Sequence, residues 1–498
     1  MSTDFQIEEA TIADIHAAYQ AGSLTCRQLV EAYLARIEAY DRSGPNINSV
    51  ITVAPNALEE ADRLDAEFAR TGELSGPLHG IPIAVKDQVE TQGITTTFGS
   101  IAAKGYVPEE DATAVAKVRQ AGGIVLTKTA MPDWATSWFG YCSMLGETKN
   151  PHALDRDPGG SSGGTGASVA ANLATIGIGE DTGGSIRLPA SFDNLVGLKV
   201  TPGLISRKGM SSLVVFQDSA GPMTRTVTDA AILLDSLVGY DPADPWTATY
   251  TIARIRGSFT EHLDPNGLSG ARIGVVRNAF GSDDLPEAAA VNRVIEAALE
   301  AIRSAGAELV DVTIPDLDYW ISFTSLYIAR SKHDMNKFMA ARPGLPFNSI
   351  DELYESKQYH PALDLLEDIA RGPADPLEDP QYFEKYAACE EFRRVVVNLM
   401  ATNGLTALCF PTTQVFSPTR AELNAGRWPT LAFPTNTLIG AQTWMPGLNV
   451  PAGFADGDVP VGIEFLGLPY DEGTLFRVGF AFEQATRHRR PPASAPPL

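Results

Sequence analysis

The stretch Gly159–Arg187, GGSSGGTGASVAANLATIGIGEDTGGSIR, gathers small and hydroxyl-bearing side chains more densely than any other part of the chain. Glycine loses more backbone freedom on ordering than any other residue, so a run of it calls for a reason. A flexible linker is the plain reading, but linkers do not run directly into an Ala-rich helical pattern and then an apolar run. A phosphate loop fails on chemistry. Gly159 and Gly164 have the spacing, but Thr165-Gly166 stand where Lys-Ser/Thr is needed. The dinucleotide fingerprint fails too, since Gly177-x-Gly179 meets Thr182 instead of a third glycine. A nucleophile elbow, G-x-S-x-G at Gly160–Gly164, would nominate Ser162. It requires a strand leading in, and Asn150–Pro158 is polar and ends in proline.

A third reading joins two serine loops to a lysine. Ser185 follows the apolar run ATIGIG and the turn Asp181-Thr182-Gly183-Gly184, so it sits just beyond a strand end, where α/β sheets place their sites. Glycines before it let successive backbone N–H groups converge on one point and form an oxyanion nest. Deprotonating such a serine takes a base, and Lys86 closes the apolar run of GIPIAVKD. A desolvated lysine has its pKa lowered and can act as a neutral base. The alternative for Lys86 is an ion pair with Asp87 or another acid. The proton-relay reading therefore requires the amine within reach of the first serine loop and no carboxylate capping it.

GIPIAVKD, PGGSSGGTGAS and DTGGSIRLPAS, in that order, resemble the defining stretch of the amidase signature family. GLKVTPGLISRKG, DSAGPMTRTVTDAAILLD and the C-terminal NVPAGF…PVGIEFLGLPYDEGTLFRVGFAFEQATRHR resemble its other segments, and residues 315–400 least. The resemblance implies a Ser–cis-Ser–Lys triad with Ser185 as nucleophile, Ser161 as relay after a cis Gly160–Ser161 bond, and Lys86 as base. The N–H groups of Thr182, Gly183, Gly184 and Ser185 would form the oxyanion hole. Ser162, Asp181 and Arg187 would support the loops, and the elbow reading falls away. The implied reaction is hydrolysis of an amide through an acyl-enzyme, with no metal and no organic cofactor. None of the histidines is needed as a base, and His79 reads as a packing or hydrogen-bonding residue.

These loops need a scaffold. Residues 1–72 read as helices, with Thr25 and Gln28 at capping-box spacing and Leu29, Val30, Tyr33, Leu34 and Ile37 in one apolar stripe. From Pro77, apolar runs at Ile83–Val85, Ile124–Leu126, Ala174–Ile178, Ile273–Val276, Leu309–Ile314, Ala407–Phe410 and Val461–Leu466 alternate with helical stretches such as Thr113–Gln120 and Ala288–Ser304. That pattern predicts an α/β fold with a layered sheet buried on both faces, and the resemblance implies a large mixed β-sheet core covered by helices on both faces. One amidase domain over 1–498 is expected, with N-terminal helices to 72, a catalytic core over 77–314, a helical substrate-shaping insertion over 315–400 and a return to the sheet over 401–488.

The chain has 498 residues and a net charge of −23, which repels phosphate backbones and anionic lipid, so neither nucleic acid nor membrane is an expected partner. Cys26, Cys142, Cys389 and Cys409 lie far apart without metal-ligand spacing, the pattern of a reducing, cytoplasmic setting. No signal peptide and no membrane-spanning run is visible in the sequence. A small-molecule amide is the expected partner, with a homodimer left open. By resemblance, the aromatic segment Met131–Tyr141 lines the acyl pocket, which nominates Met131, Trp134 and Trp138 beside Gly160; Trp444 and the insertion add further walls. Such a pocket favours a hydrophobic or aryl acyl-amide. The alternatives are a carbamate or ester hydrolase with the same triad, a glutaminase-type amidotransferase subunit, and a non-catalytic binding scaffold.

Overall fold

All seven apolar runs overlap strands in the computed structural model, which describes residues 5–253, 255 and 257–498; residues 1–4 of the N-terminal stretch lie outside it. Thirteen strands occur among the described residues: β1 (Val50–Val53), β2 (Pro82–Lys86), β3 (Ile124–Thr129), β4 (Tyr141–Cys142), β5 (Gly146–Glu147), β6 (Ile176–Asp181), β7 (Val196–Lys199), β8 (Ser219–Thr224), β9 (Arg272–Val276), β10 (Glu308–Val312), β11 (Ala407–Pro411), β12 (Gly447–Ala455) and β13 (Val459–Leu466). Apart from the β4–β5 hairpin they form one 11-stranded sheet in the order β1-β3-β2-β6-β8-β7-β12-β13-β11-β9-β10. Parallel trios, β3-β2-β6 and β11-β9-β10, flank an antiparallel centre. The sheet is mixed, as the resemblance implies.

Every residue of β2, β3, β6, β7, β8, β11 and β13 is buried. Burial at both parities of a strand means that both faces of the sheet are covered. Helices Gly163–Ala170 and Arg187–Phe192 pack on each other and on the central strands. Helices Thr113–Gln120, Val227–Leu237, Glu472–Thr486 and Pro286–Ser304 pack side by side in a second row.

Four strands of the sheet, β1, β7, β8 and β12, depart from the sequence reading. The N-terminal stretch read as helices contains β1, which pairs antiparallel with β3 at the sheet edge. The predicted cap is present there, Thr25 and Gln28 closing the start of helix Cys26–Arg36, and a π-helical turn at Ile37–Arg42 extends it. Strands β8 (SAGPMT) and β12 (GLNVPAGFA) carry glycine and proline, which weaken any local strand signal. Each is held instead by partners on both sides, β8 between β6 and β7, β12 between β7 and β13.

Helices Leu317–Phe323, Tyr327–Ala340, Ile350–Ser356, Asp364–Arg371 and Tyr382–Asn403 follow one another with no strand among them. The last four share a core with the residues Phe98, Trp134, Trp138 and Phe139, while Leu317–Phe323 packs in a neighbouring cluster with Phe392, Val396 and Phe410. This places the helical layer over the serine loops.

Arg36 ties the first helices to the C-terminal tail. Its buried guanidinium donates to the carbonyls of Ala171 (3.1 Å), Asn172 (2.8 Å), Ala495 (2.8 Å) and Pro496 (2.9 Å) and pairs with Glu8 at 2.6 Å. Replacing it leaves these acceptors unpaired in the interior. Arg36→Ala is expected to cost about 3–5 kcal/mol, read as a lowered guanidinium midpoint of unfolding.

Candidate active site

Parallel pairing of β2 and β6, with Val85 opposite Ile178, brings the carboxyl ends of the two strands together. Lys86 ends β2, and Glu180 and Asp181 end β6. Beyond β6 the chain turns through Thr182–Ser185 into helix Arg187–Phe192. The other serine loop precedes helix Gly163–Ala170, and a backbone bond from Ser162 N–H to the Ser185 carbonyl (3.0 Å) ties the two loops. The Gly160–Ser161 peptide is cis, as the resemblance implies.

Lys86, Ser161 and Ser162 are wholly buried and Ser185 is nearly so. Lys86 Nζ lies 2.8 Å from Ser161 Oγ and 3.0 Å from the carbonyl oxygen of Glu180. Removal from water disfavours the charged form and lowers the Lys86 pKa below the ordinary lysine value. Among the described residues no direct hydrogen bond joins the Ser161 and Ser185 hydroxyls, and Ser185 Oγ bonds to no other protein group.

The requirement that no carboxylate touch the amine is not met. Glu180 Oε2 lies 3.1 Å from Lys86 Nζ, both side chains being fully buried. Asp87, the acid next in sequence, is instead occupied by Lys128 at 3.4 Å and by the Thr97 hydroxyl at 2.5 Å. The cap arises because matched strand ends put Glu180 beside Lys86 across the sheet, which sequence adjacency does not reveal. Burial acts on both partners towards neutrality, lowering the amine and raising the Glu180 carboxyl.

The turn Thr182–Ser185 is held from below and above. Ile186 N–H donates to Asp181 Oδ2 at 3.1 Å, and Arg187 pairs with Asp181 at 3.0 Å and with Glu464 at 2.5 Å. Burial raises the Asp181 carboxyl, but Arg187 outweighs it and leaves the group below the usual range. Gly184 has φ +147°, and a Cβ there would meet Thr437 Oγ1 at 2.1 Å. A Cβ on Gly183 would meet Tyr327 Oη at 2.2 Å and the Trp138 ring at 2.7 Å. The N–H groups of Thr182, Gly183, Gly184 and Ser185 donate to no protein acceptor among the described residues, which leaves four donors free at one turn. Ser162 Oγ donates to the Glu180 carbonyl at 3.1 Å and so supports the β6 end.

A cavity of about 380 Å³ lies near this turn, although none of Lys86, Ser161 or Thr182–Ser185 lines it. Tyr327 and Leu438 line it, and both also border Gly183. Its walls mix Leu317, Ile321, Phe433 and Ile439 with Asp318, Gln414, Asn436 and Gln442. Of the residues nominated for the acyl pocket, Trp138 reaches the turn. Gly160 packs against the backbone of Ser137, Trp138 and Phe139. Met131 and Trp134 do not line this cavity; Trp134 stacks on Phe98 with ring centres 4.4 Å apart and is part of the apolar core. Trp444 lies against Tyr386 and Arg393. His79, held by Ser75, lies with Tyr19 and Phe68 away from the serine loops.

Sequence reasoning missed Glu180, Asp218, Thr437, Leu438 and Glu464, while Tyr327 belongs to the aromatic insertion expected to add walls. Glu180 had a signal, an acid at the end of the otherwise apolar run IGIGED, as Lys86 ends its own run. The others come from distant segments with no local mark.

A mixed sheet carrying a lysine at one strand end and two glycine-framed serine loops beside it defines an amide-hydrolysing enzyme of the serine type. The family model described as Amidase matches residues 28–476, and the chain belongs to the amidase signature family of C–N bond hydrolases. It is 36% identical to native peptide amidase from Stenotrophomonas maltophilia, with TM-score 0.86 over 97% of this chain and 98% of that one. It is 34% identical to a subunit of the glutamyl-tRNA(Gln) amidotransferase of Alkalilimnicola ehrlichii over 98% of this chain and 99% of the relative. A probable amidase of Arabidopsis thaliana is 32% identical over 99% of this chain and 93% of its own length.

Gly184→Ala is expected to push the turn off Thr437 and spread its N–H groups. The rate of Ser185 modification by a fluorophosphonate should fall at least about a hundredfold, the scale of losing an oxyanion donor.

Proposed function

We propose that the chain hydrolyses the C–N bond of a small acyl-amide with a hydrophobic or aryl acyl group, Ser185 being the nucleophile, Ser161 the relay and Lys86 the base. The observation that carries this reading is the 2.8 Å contact between Lys86 Nζ and Ser161 Oγ, in a buried site next to four free N–H donors. Neutral Lys86 takes the Ser161 proton as Ser161 takes that of Ser185, and Ser185 Oγ adds to the amide carbonyl carbon. The N–H groups of Thr182, Gly183, Gly184 and Ser185 hold the oxyanion, each donor contributing about 2.7–4 kcal/mol. On collapse the proton returns through Ser161 to the leaving nitrogen, which departs as an amine. Water then hydrolyses the acyl-enzyme by the same relay.

The cavity supports an acyl group that is partly apolar, with polar atoms in reach of Asp318, Asn436 and Gln442. The likeness to peptide amidase supports amides of short peptides among the substrates. The likeness to an amidotransferase subunit supports a second reading, release of ammonia from glutamine for a partner. A free glutamine brings an α-carboxylate, and the cavity lining has one acid, Asp318, and no lysine or arginine to meet it. Carbamates and esters share the carbonyl chemistry and belong in the same panel. The cytoplasmic setting and any homodimer remain part of this proposal, the former supported by the scattered, unpaired cysteines.

Ser185→Ala is expected to abolish covalent labelling by a fluorophosphonate and all amide turnover; label found on Ser162 would overturn the assignment. Lys86→Ala should lower kcat/KM by about 10²–10⁴-fold with the fold intact, and a near-wild-type rate would show that another base operates. Purified chain should cleave acyl-anilides and peptide amides faster than glutamine, measured as released amine or ammonia. Since the base must be neutral, acid must protonate Lys86 and reduce the rate. The pH profile of kcat/KM should therefore fall on its acid side.

A further inference from the structure

Glu180 touches Lys86 through one carboxyl oxygen and Thr182 through the other. Oε2 lies 3.1 Å from Lys86 Nζ, and Oε1 lies 3.0 Å from Thr182 Oγ1. The same Thr182 hydroxyl lies 2.7 Å from Asp218 Oδ1. Asp218 also accepts the backbone N–H of Leu213 on Oδ2 and of Val214 on Oδ1, each at 3.0 Å. All three side chains are buried.

A threonine hydroxyl has one hydrogen to give, and here two carboxyl groups face it. Two backbone donors converge on Asp218, an arrangement that favours the ionised carboxylate. The shorter of the two Thr182 contacts is also the one to Asp218. With the Thr182 hydrogen directed there, the contact from Thr182 Oγ1 to Glu180 Oε1 is a hydrogen bond only if Glu180 supplies the proton.

We propose that the Thr182–Asp218 chain holds Glu180 as the neutral acid, so that Lys86 has a hydrogen-bonding neighbour, no counter-ion, and rests as the free amine. Glu180 and Asp218 are then positioning residues, acting on the reaction through Lys86. The inference rests on Lys86 being the base. The amine's three contacts suit it: two N–H groups donate to the Glu180 carbonyl and to Oε2, and the lone pair faces Ser161 Oγ. An ammonium would spend all three positions as donor and have no lone pair left for the serine proton.

The surrounding charges agree. Burial raises Glu180 and Asp181 adds to this, while Lys86 opposes. Burial and the neighbouring Glu180 push Asp218 up to about 7, with Asp334 behind it in the same sense. Burial favours a neutral carboxyl in this pair, and the two backbone donors on Asp218 favour Glu180 as the one that carries the proton. Asp181 is matched by Arg187, and Tyr327 stays protonated, its buried phenol pushed well above the ordinary value with Asp181, Glu180 and Asp218 adding to the effect.

The test reads the rate of Ser185 phosphonylation by a fluorophosphonate against pH, which needs no substrate. The acid limb of that profile reports protonation of Lys86. Asp218→Asn removes the charge that keeps Glu180 protonated; Glu180 ionises, stabilises the ammonium, and the limb should move up by about one pH unit or more. Glu180→Gln preserves a neutral hydrogen-bonding group, so the limb should stay at the wild-type position. Adding Glu180→Gln to Asp218→Asn should bring the raised limb back. A limb that falls by a unit in Glu180→Gln alone would reveal a carboxylate counter-ion in the wild type and overturn the proposal, as would an unmoved limb in Asp218→Asn. Should Asp218→Asn fail to fold, Glu180→Gln decides by itself. Absence of wild-type labelling at Ser185 would instead overturn the underlying reading of the site.

Discussion

An amine stripped of water is the constraint on which the site depends. Lys86 is fully buried at a strand end, and its solvation is replaced by one hydroxyl, one carbonyl and one carboxyl oxygen. In water a lysine at neutral pH is a cation and no base at all. Burial reverses that preference, but a neighbouring carboxylate could restore it. The balance is therefore set by the proton on Glu180, and through Thr182 by Asp218. A site that looks like an ion pair by distance alone can be a neutral pair, and hydrogen-bond direction tells the two apart.

The Thr182–Ser185 turn depends on a second buried charge cluster. Arg187 begins the helix after Ser185 and reaches back to Asp181 and across to Glu464 on β13 and the Thr437 carbonyl. Lys199 on β7 shares the cluster and, by burial and the nearby guanidinium, is lowered to about 8. A buried ion pair is weak evidence for stability, since desolvation consumes most of its Coulomb energy. Its effect here is on geometry: Asp181 fixes the N–H of Ile186, so the turn before it is held with its own N–H groups turned free. Electrostatic stabilisation of an oxyanion needs donors already aimed, and this cluster provides the aim.

Local signals sufficed wherever one segment carried its own reason. The apolar runs around Lys86 and before Ser185, the glycine-framed serines and the Thr25 cap all lie where their spacing predicts. Strands β7, β8 and β12 left no comparable mark, because their stability comes from neighbours on both sides and not from side chains with strand preference. The same reason hid Glu180. Its meaning depends on the parallel register of β2 and β6, a fact about two segments far apart in the chain. Trp134 lies near the site in sequence but packs in the apolar core against Phe98, Phe338 and Phe347.

The two jobs of the chain are divided between architectural layers. Rigid strand ends and the helices behind them hold Lys86, Ser161 and the turn, the groups to which the proposed reaction assigns its chemistry. The cavity is built from elsewhere: Leu317, Ile321 and Tyr327 come from the helical layer, and Phe433, Leu438 and Ile439 from the segment before β12. Tyr327 is the joint between them, since its phenol borders Gly183 while its ring meets Trp138 edge-on at 6.1 Å. Changes in the helical layer can therefore reshape the cavity while the strand ends keep their register. On the proposed function, selectivity varies with residues apart from Lys86 and Ser161, except at Tyr327 and Leu438, which border Gly183 and where a change of size would press on the turn itself.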